Sequence, residues 1–244
     1  MKKNVMKRKC FFSVCTIMMV LTMFGCTKSE NAESTESGQT ATEADETVDM
    51  TQSETADSGQ NEKGTLTVDD VMNAPVTDEQ YFTYRETEEG IVALSCTCED
   101  DIIVLPETID GKTVVGIEPN LFTYNTTGAK GIYVADTVEV IPEVAFVDCS
   151  DLEILVLGKG VKVIEHGSIT VNENLRVISV LSEQLETLED HSIVACSALE
   201  EIYFKGDCKE VMHMFGATTP TIYGPADSNI EKYANENGLT YVVW

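Results

Sequence analysis

The stretch IPEVAFVDCSDLEILVLGKGV, residues 141–161, carries an apolar residue at almost every third position. The same beats return in ITVNENLRVISVLSEQL at 169–185 and in IVACSALEEIYFKGDC at 193–208. Four blocks align on the anchors Ile117, Ile141, Ile164 and Leu188, at steps of 24, 23 and 24 residues. Five residues after each anchor stands a second apolar side chain: Phe122, Phe146, Ile169 or Ile193. Eight residues after it stands a short polar residue or a thiol: Asn125, Cys149, Asn172 or Cys196. An L-x-x-I-x-V beat follows, as Leu152, Leu155 and Leu157, then Leu175, Ile178 and Val180, then Leu199, Ile202 and Phe204. The first block has a weaker version in Ala129, Ile132 and Val134, and the blocks close on Val138, Val161, Leu185 and Cys208.

A period of 20 to 29 residues built on this beat is the signature of a leucine-rich repeat. Burying the six to eight apolar side chains of one block gains about 1.5–3 kcal/mol each. Ordering the backbone of such a block costs on the order of 25–45 kcal/mol. One block therefore cannot fold alone, and stacking is required. The expected fold is a leucine-rich repeat solenoid, α/β horseshoe-like but β-rich, with parallel strands about 4.8 Å apart recurring at the period of the repeat.

The sequence resembles the BspA-type leucine-rich repeat family of bacterial surface proteins. The resemblance rests on IPEVAFVDCSDLEILVL and IEHGSITVNENLRVISV, which follow the pattern Ile-Pro-x-x-Ala-Phe-x-x-Cys-x-x-Leu-x-x-Ile. It extends to the lead-in VLPETIDGKTVVGIEPNLF and the exit IYGPADSNIEKYANENGLTYVV, so it covers residues 80–243. The Ala-Phe pair survives at Ala145 and Phe146 and becomes Ser-Ile at 168–169 and 192–193, one apolar residue replacing another at the second position. The resemblance implies surface display and protein binding.

Residues 1–26 stand apart. Lys2, Lys3, Lys7, Arg8 and Lys9 precede FFSVCTIMMVLTMFG, an apolar run of 15 residues that ends just before Cys26. A membrane span needs about 20 apolar residues, so this run has the length of a signal-peptide core. The junction resembles the lipobox of bacterial lipoproteins, although Met23 and Phe24 depart from its usual residues; it implies that Cys26 is acylated after cleavage. Two acyl chains hold a protein stably on a membrane where one does not. Residues 27–65 follow as an acidic Ser/Thr/Glu linker, with ten acidic residues against two lysines and no aromatic residue. Such a segment cannot bury enough surface to order itself and is expected to act as a disordered tether. The folded domain is expected over 66–244.

Both ends of a solenoid need covers. Ser228 with Glu231 three residues on is a capping-box pattern, and Gly238 sits where a helix would stop. A short capping helix over 229–237 and a last strand in TYVVW are predicted. FTYRETEEGIVALSCTC and DIIVLPETI read together as a hairpin-like cap at the other end, and TVDDVMNA before Pro75 as one or two helical turns of that cap.

Little in the domain points to covalent chemistry. Its five cysteines are Cys96, Cys98, Cys149, Cys196 and Cys208. Cys149 and Cys196 lie two blocks apart, roughly 10 Å, beyond the roughly 7 Å reach of a disulfide, and are expected to stay unbonded. Cys96 and Cys98 share one face of a strand and could hold a soft metal with a third ligand, but C-x-C alone is a weak signal. A bridge from this pair to Cys208 stays open. His166, His191 and His213 do not share a repeat position, so no histidine ladder is expected. No nucleophile elbow, phosphate loop or zinc-protease motif is present. No enzyme, cofactor or metal is expected, and the net charge of −26 disfavours nucleic acid.

The outward face of the strands is different. Tyr133, Ile154, Val156, Val177, Ser179, Leu181, Glu201, Tyr203 and Lys205 flank the inward positions, where solvated strands normally carry Thr, Ser or charge. An apolar patch in so acidic a chain suggests a partner surface. Two other readings stand beside it: a cap or loop covers the patch, or the register is off by one. The expected function is a lipid-anchored, extracytoplasmic protein-binding or adhesion module on a bacterial cell surface, without catalysis, taking a protein or glycan of the host or the envelope. An envelope scaffold binding the cell's own components would use the same face. A solute-binding lipoprotein is disfavoured for want of a second lobe, and a thiol-dependent enzyme or metal site at Cys96 and Cys98 comes last.

Overall fold

The computed structural model describes residues 65–122 and 127–244. The signal-peptide, lipidation and tether expectations, and Asn125, lie outside the described residues, apart from the tether's last residue, Thr65. Among the described residues, no helix is long and apolar enough to cross a membrane.

The chain winds as a solenoid of coils, and three parallel sheets run along it. The main sheet has seven strands: Ile102–Val104, Gly131–Val134, Ile154–Leu157, Val177–Val180, Glu201–Phe204, Thr221–Gly224 and Tyr241–Val243. Each pairs in parallel with the next. The anchors form a second sheet of two-residue strands, Val140–Ile141, Val163–Ile164, Thr187–Leu188 and Glu210–Val211. Phe146–Val147, Ile169–Thr170 and Ile193–Val194 make the third. The register sets like on like: Ile132, Leu155, Ile178, Ile202 and Ile222 form one file. These inner faces meet in a single core, and Phe122 stacks on Phe146 at 5.6 Å between ring centroids.

The parallel-strand solenoid is thus as the repeat requires, but the sides between main strands carry short strands and turns rather than helices. The reason lies at the corners. Three residues after each anchor stand Asn120, Val144, Gly167 and His191, with φ of 70°, 62°, 61° and 53°. Seven residues after the anchors stand Asp148, Val171 and Ala195, with φ of 55°, 57° and 55°. Two left-handed residues per coil break any right-handed helix before it can propagate. Only one of the seven is glycine. The corner amides are held by the next coil: Asp148 N–H donates to Thr170 O at 3.1 Å, Val171 N–H to Val194 O at 3.2 Å and His191 N–H to His213 O at 2.8 Å.

The short polar or thiol position stitches coils together beneath these corners. Asn172 Oδ1 accepts from Cys149 N–H at 2.9 Å, and its Nδ2 donates to Phe146 O at 3.1 Å. Cys149 Sγ donates to Phe122 O at 2.8 Å, and Cys196 Sγ reaches Ile169 O of the preceding coil at 3.9 Å.

At the C-terminal end, helix α2 (Asn229–Glu236) buries Ile230, Tyr233 and Ala234 over the last coil, and Gly238 takes φ of 67° behind it. Ser228 Oγ accepts from Glu231 N–H at 3.0 Å, while the Glu231 carboxylate reaches back to Asp227 N–H at 2.6 Å. At the other end, Phe82–Glu86 and Ile91–Cys96 pair as the expected antiparallel hairpin. DIIV is not part of that cap: Ile102–Val104 is the first strand of the main sheet. The repeat begins earlier than its visible anchors because Ala93, a full period before Ile117 and paired with it, is an anchor reduced to a methyl group. The remaining helix, α1 (Val68–Met72), lies on the main sheet and not at its end.

A β-branched residue in the left-handed region is strained, and glycine is not. Val171→Gly, at a 44% exposed corner, is expected to raise unfolding stability by about 1 kcal/mol in urea titration. Phe146→Ala, which empties the stacked aromatic file, is expected to lower it by about 3–5 kcal/mol in the same measurement.

Candidate functional site on the strand face

The outward side of the main sheet starts as an apolar strip, and part of it is covered by the chain itself. Ile154, Val156 and Val177 form a second hydrophobic cluster with Val71 of α1, and Leu66, Val68, Ile102, Tyr133, Leu181 and Tyr203 pack around it. Ile154, Val156, Val177 and Ser179, expected in solvent, are buried. The physical reason is the placement of TLTVDDVM, whose Leu66, Val68 and Val71 give a five-residue helix one apolar side. That side is satisfied on the sheet, whereas at the solenoid end the hairpin already covers the core.

Several contacts seat α1. Thr67 caps it: its Oγ1 accepts from Asp70 N–H at 3.2 Å, and the Asp70 carboxylate accepts from Thr67 N–H at 2.9 Å. The hydroxyl and amide of Thr67 together hold the Asp70 carboxyl below its ordinary range. Gly131 supplies the notch beneath the helix, since a Cβ there would stand 2.6 Å from Val71 Cγ2. The Arg176 guanidinium donates to Leu66 O at 3.2 Å and to Glu153 at 3.1 Å. Beyond the helix, Thr77 and Val104 bond reciprocally at 3.1 and 3.0 Å.

Beside α1 an open groove of about 590 Å³ remains. Val177, Ser179, Leu181 and Tyr203 line it from the sheet, Leu66, Val68 and Met72 from the helix side, and Trp244 from the C-terminus. Arg176 adds one positive charge, and Asp69 and Glu201 add two negative ones. Tyr203 stacks on Tyr223 with centroids 4.4 Å apart and meets Trp244 at 5.5 Å. Glu201 accepts from both tyrosine hydroxyls, at 2.8 Å from Tyr203 and 3.1 Å from Tyr223. Burial, with Glu201 beside it, pushes the Tyr203 hydroxyl far above its ordinary pKa, so it stays a proton donor.

Of the sequence-named face residues, Ile154, Val177, Ser179, Leu181, Glu201 and Tyr203 come together at this groove. Val156 is sealed under α1. Tyr133 packs on the helix cluster and donates to Asp136 at 2.6 Å, and Lys205 is exposed and paired with Glu183 at 2.9 Å. The sequence reading missed Leu66, Val68, Met72, Arg176 and Trp244. The apolar spacing of Leu66, Val68 and Val71 was the available signal for the first two.

The five cysteines of the domain are buried, and Cys96, Cys98, Cys196 and Cys208 are free thiols. Burial pushes Cys96 and Cys208 up to about 11, and Cys98, whose thiol donates to Asp100 at 3.4 Å, also upward. A nucleophilic thiol needs the opposite shift. The histidines correct the expectation that they form no ladder: the rings of His166 and His191 lie 6.0 Å apart, and those of His191 and His213 5.6 Å apart.

Residues 105–221 match the BspA type leucine rich repeat region in six copies. This stretch is a BspA-type leucine-rich repeat region. Six copies, against four blocks aligned by their anchors, agree with a main sheet that extends beyond those blocks at both ends. A leucine-rich repeat protein of T. pallidum is 16% identical, with a TM-score of 0.43, over 69% of this chain and 98% of its own. One from Bacteroides ovatus is 19% identical, with a TM-score of 0.36, over 61% of this chain and 46% of its own. No curated protein matches the chain. BspA-type repeats are generally protein-interaction modules, and stacked repeats of this kind present extended binding surfaces.

If Gly131 is the notch that seats α1, Gly131→Val displaces the helix. Hydrogen exchange at the Val71 amide is expected to speed at least tenfold, while exchange at Ile178 stays unchanged. Equal protection of Val71 in both proteins would show that the helix does not rest on that notch.

Proposed function

We propose that this BspA-type chain is a lipid-anchored surface module that binds a protein partner in the groove beside α1, without covalent chemistry. The observation that carries the reading is the groove's combination of half-exposed Leu181, the Tyr203 stack and Trp244 with one cation, Arg176, and two anions, Asp69 and Glu201. Large flat side chains with few rotamers gain area at low entropic cost and dominate binding energy at interfaces. Arg176 and Glu201 would fix orientation rather than supply affinity.

An anchor at Cys26 followed by an acidic tether would carry this face away from the membrane. Adhesion to a host protein and scaffolding of the cell's own envelope use the same groove, and the partner's identity separates them.

The test compares Leu181→Glu and Trp244→Ala with Val140→Glu, which adds the same charge on the anchor sheet. Each variant is used as bait against envelope extract and host matrix proteins. A partner kept by wild type and Val140→Glu, and weakened at least tenfold by either groove substitution, is expected. A partner indifferent to both groove substitutions contradicts the site. For the anchor, Cys26→Ser is expected to move the protein from the detergent phase to the aqueous phase in Triton X-114 partition; retention in the detergent phase contradicts acylation at that residue.

A further inference from the structure

The chain has three histidines in 244 residues, and all three stand side by side at one corner of the solenoid. Coil stacking produces this, because His166, His191 and His213 follow the anchor-sheet residues Ile164, Leu188 and Val211 on successive coils. The side chains are exposed, so neither core packing nor a buried hydrogen bond accounts for their company. We propose that His166, Asp190 and His191 form a binding site for one divalent transition-metal ion of borderline softness, such as Zn²⁺ or Ni²⁺.

The geometry supports three ligands. One donor atom from each of His166, Asp190 and His191 lies within 4.8 Å of the other two, the one such grouping of metal-binding side chains among the described residues. Ligands on a shared ion at about 2.0–2.2 Å stand roughly 3.3–3.5 Å apart when tetrahedral. Closing the remaining distance takes about 1 Å of movement by exposed side chains within their rotamer wells.

The surroundings also orient the rings. His166 Nδ1 lies 2.6 Å from the Asp190 backbone O, which can only accept a hydrogen bond, so Nδ1 donates. In the neutral ring that bond leaves the lone pair on Nε2, the arrangement metal-bound histidines use. His166 N–H donates to Glu189 at 2.9 Å, which pins the residue, and His191 Nδ1 lies 2.7 Å from Asp190 Oδ2. His191 is further held by its left-handed backbone and by the edge of the His213 ring. Two imidazoles and one carboxylate select zinc, nickel, cobalt or copper over calcium and magnesium, which require oxygen sets. The open side leaves room for water to complete the shell.

The full chain is titrated with Ni²⁺ by calorimetry, with excess Mg²⁺ to occupy the many isolated carboxylates. One equivalent is expected to bind, and His166→Asn and His191→Asn are each expected to weaken it at least tenfold. Asparagine tolerates the left-handed backbone at 191, so the fold is kept; unchanged hydrogen exchange at Ile178 confirms this. Independently, Co²⁺ is expected to broaden the ring-proton signals of His166 and His191 in the NMR spectrum before one equivalent is added. Nickel affinity indifferent to both substitutions, or ring signals that ignore cobalt, would overturn the site.

Discussion

Every coil of this protein hands its backbone hydrogen bonds to the coil on either side, and nothing within one coil can replace them. The main strands pair only with their sequence-distant neighbours, and the left-handed corners are closed by carbonyls of the next coil. A buried amide without a partner costs about 1–3 kcal/mol, so the coil length is held near the repeat period all along the stack. A one-residue slip would turn every side chain of a strand to the opposite face. The same constraint places charges: Lys159 with Asp136, Lys162 with Glu139, Arg176 with Glu153 and Lys209 with Glu186 are each pairs one coil apart. Single surface pairs contribute little, but here they set opposite signs side by side in a chain of net charge −26.

On top of that rigid stack lies an element of another kind. A five-residue helix has no stability of its own, so α1 depends on Val71 entering the outward apolar cluster, the Gly131 notch and the Arg176 tie to Leu66. Its burial divides one apolar face into a sealed half and an open half. A uniform apolar strip would invite association edge-on or face-on; the helix reduces that strip to a groove with a defined floor, one aromatic wall and three charges. The coils supply the flat surface, and the segment preceding them supplies its shape.

The anchors, the apolar residue five places after each and the L-x-x-I-x-V beat were legible in the sequence because burial on three inner faces demands the same side chains in every coil. Helix α2 was legible from Ser228, Glu231 and Gly238 because capping is local chemistry. Ala93 and Ile102–Val104 were not, because a coil whose anchor has shrunk to alanine keeps its backbone pairing while losing its pattern. The location of α1 was hidden for a related reason: an apolar side predicts that a helix docks, and says nothing of which of two apolar surfaces receives it. The histidines escaped because counting from anchors compares backbone positions, whereas rings on neighbouring coils meet across positions that differ by one residue.

The seat of α1 on the sheet decides both what is sealed and what is left to bind, so it is the point to measure. Methyl-labelled full-length chain gives the answer by nuclear Overhauser spectroscopy. Cross-peaks from the Val71 methyls to those of Ile154 and Val156 are predicted, together with a contact to the Gly131 α-protons. Their absence, with Val156 methyls relaxed by a soluble paramagnetic probe, would mean that the face is bare and that the groove described here does not exist.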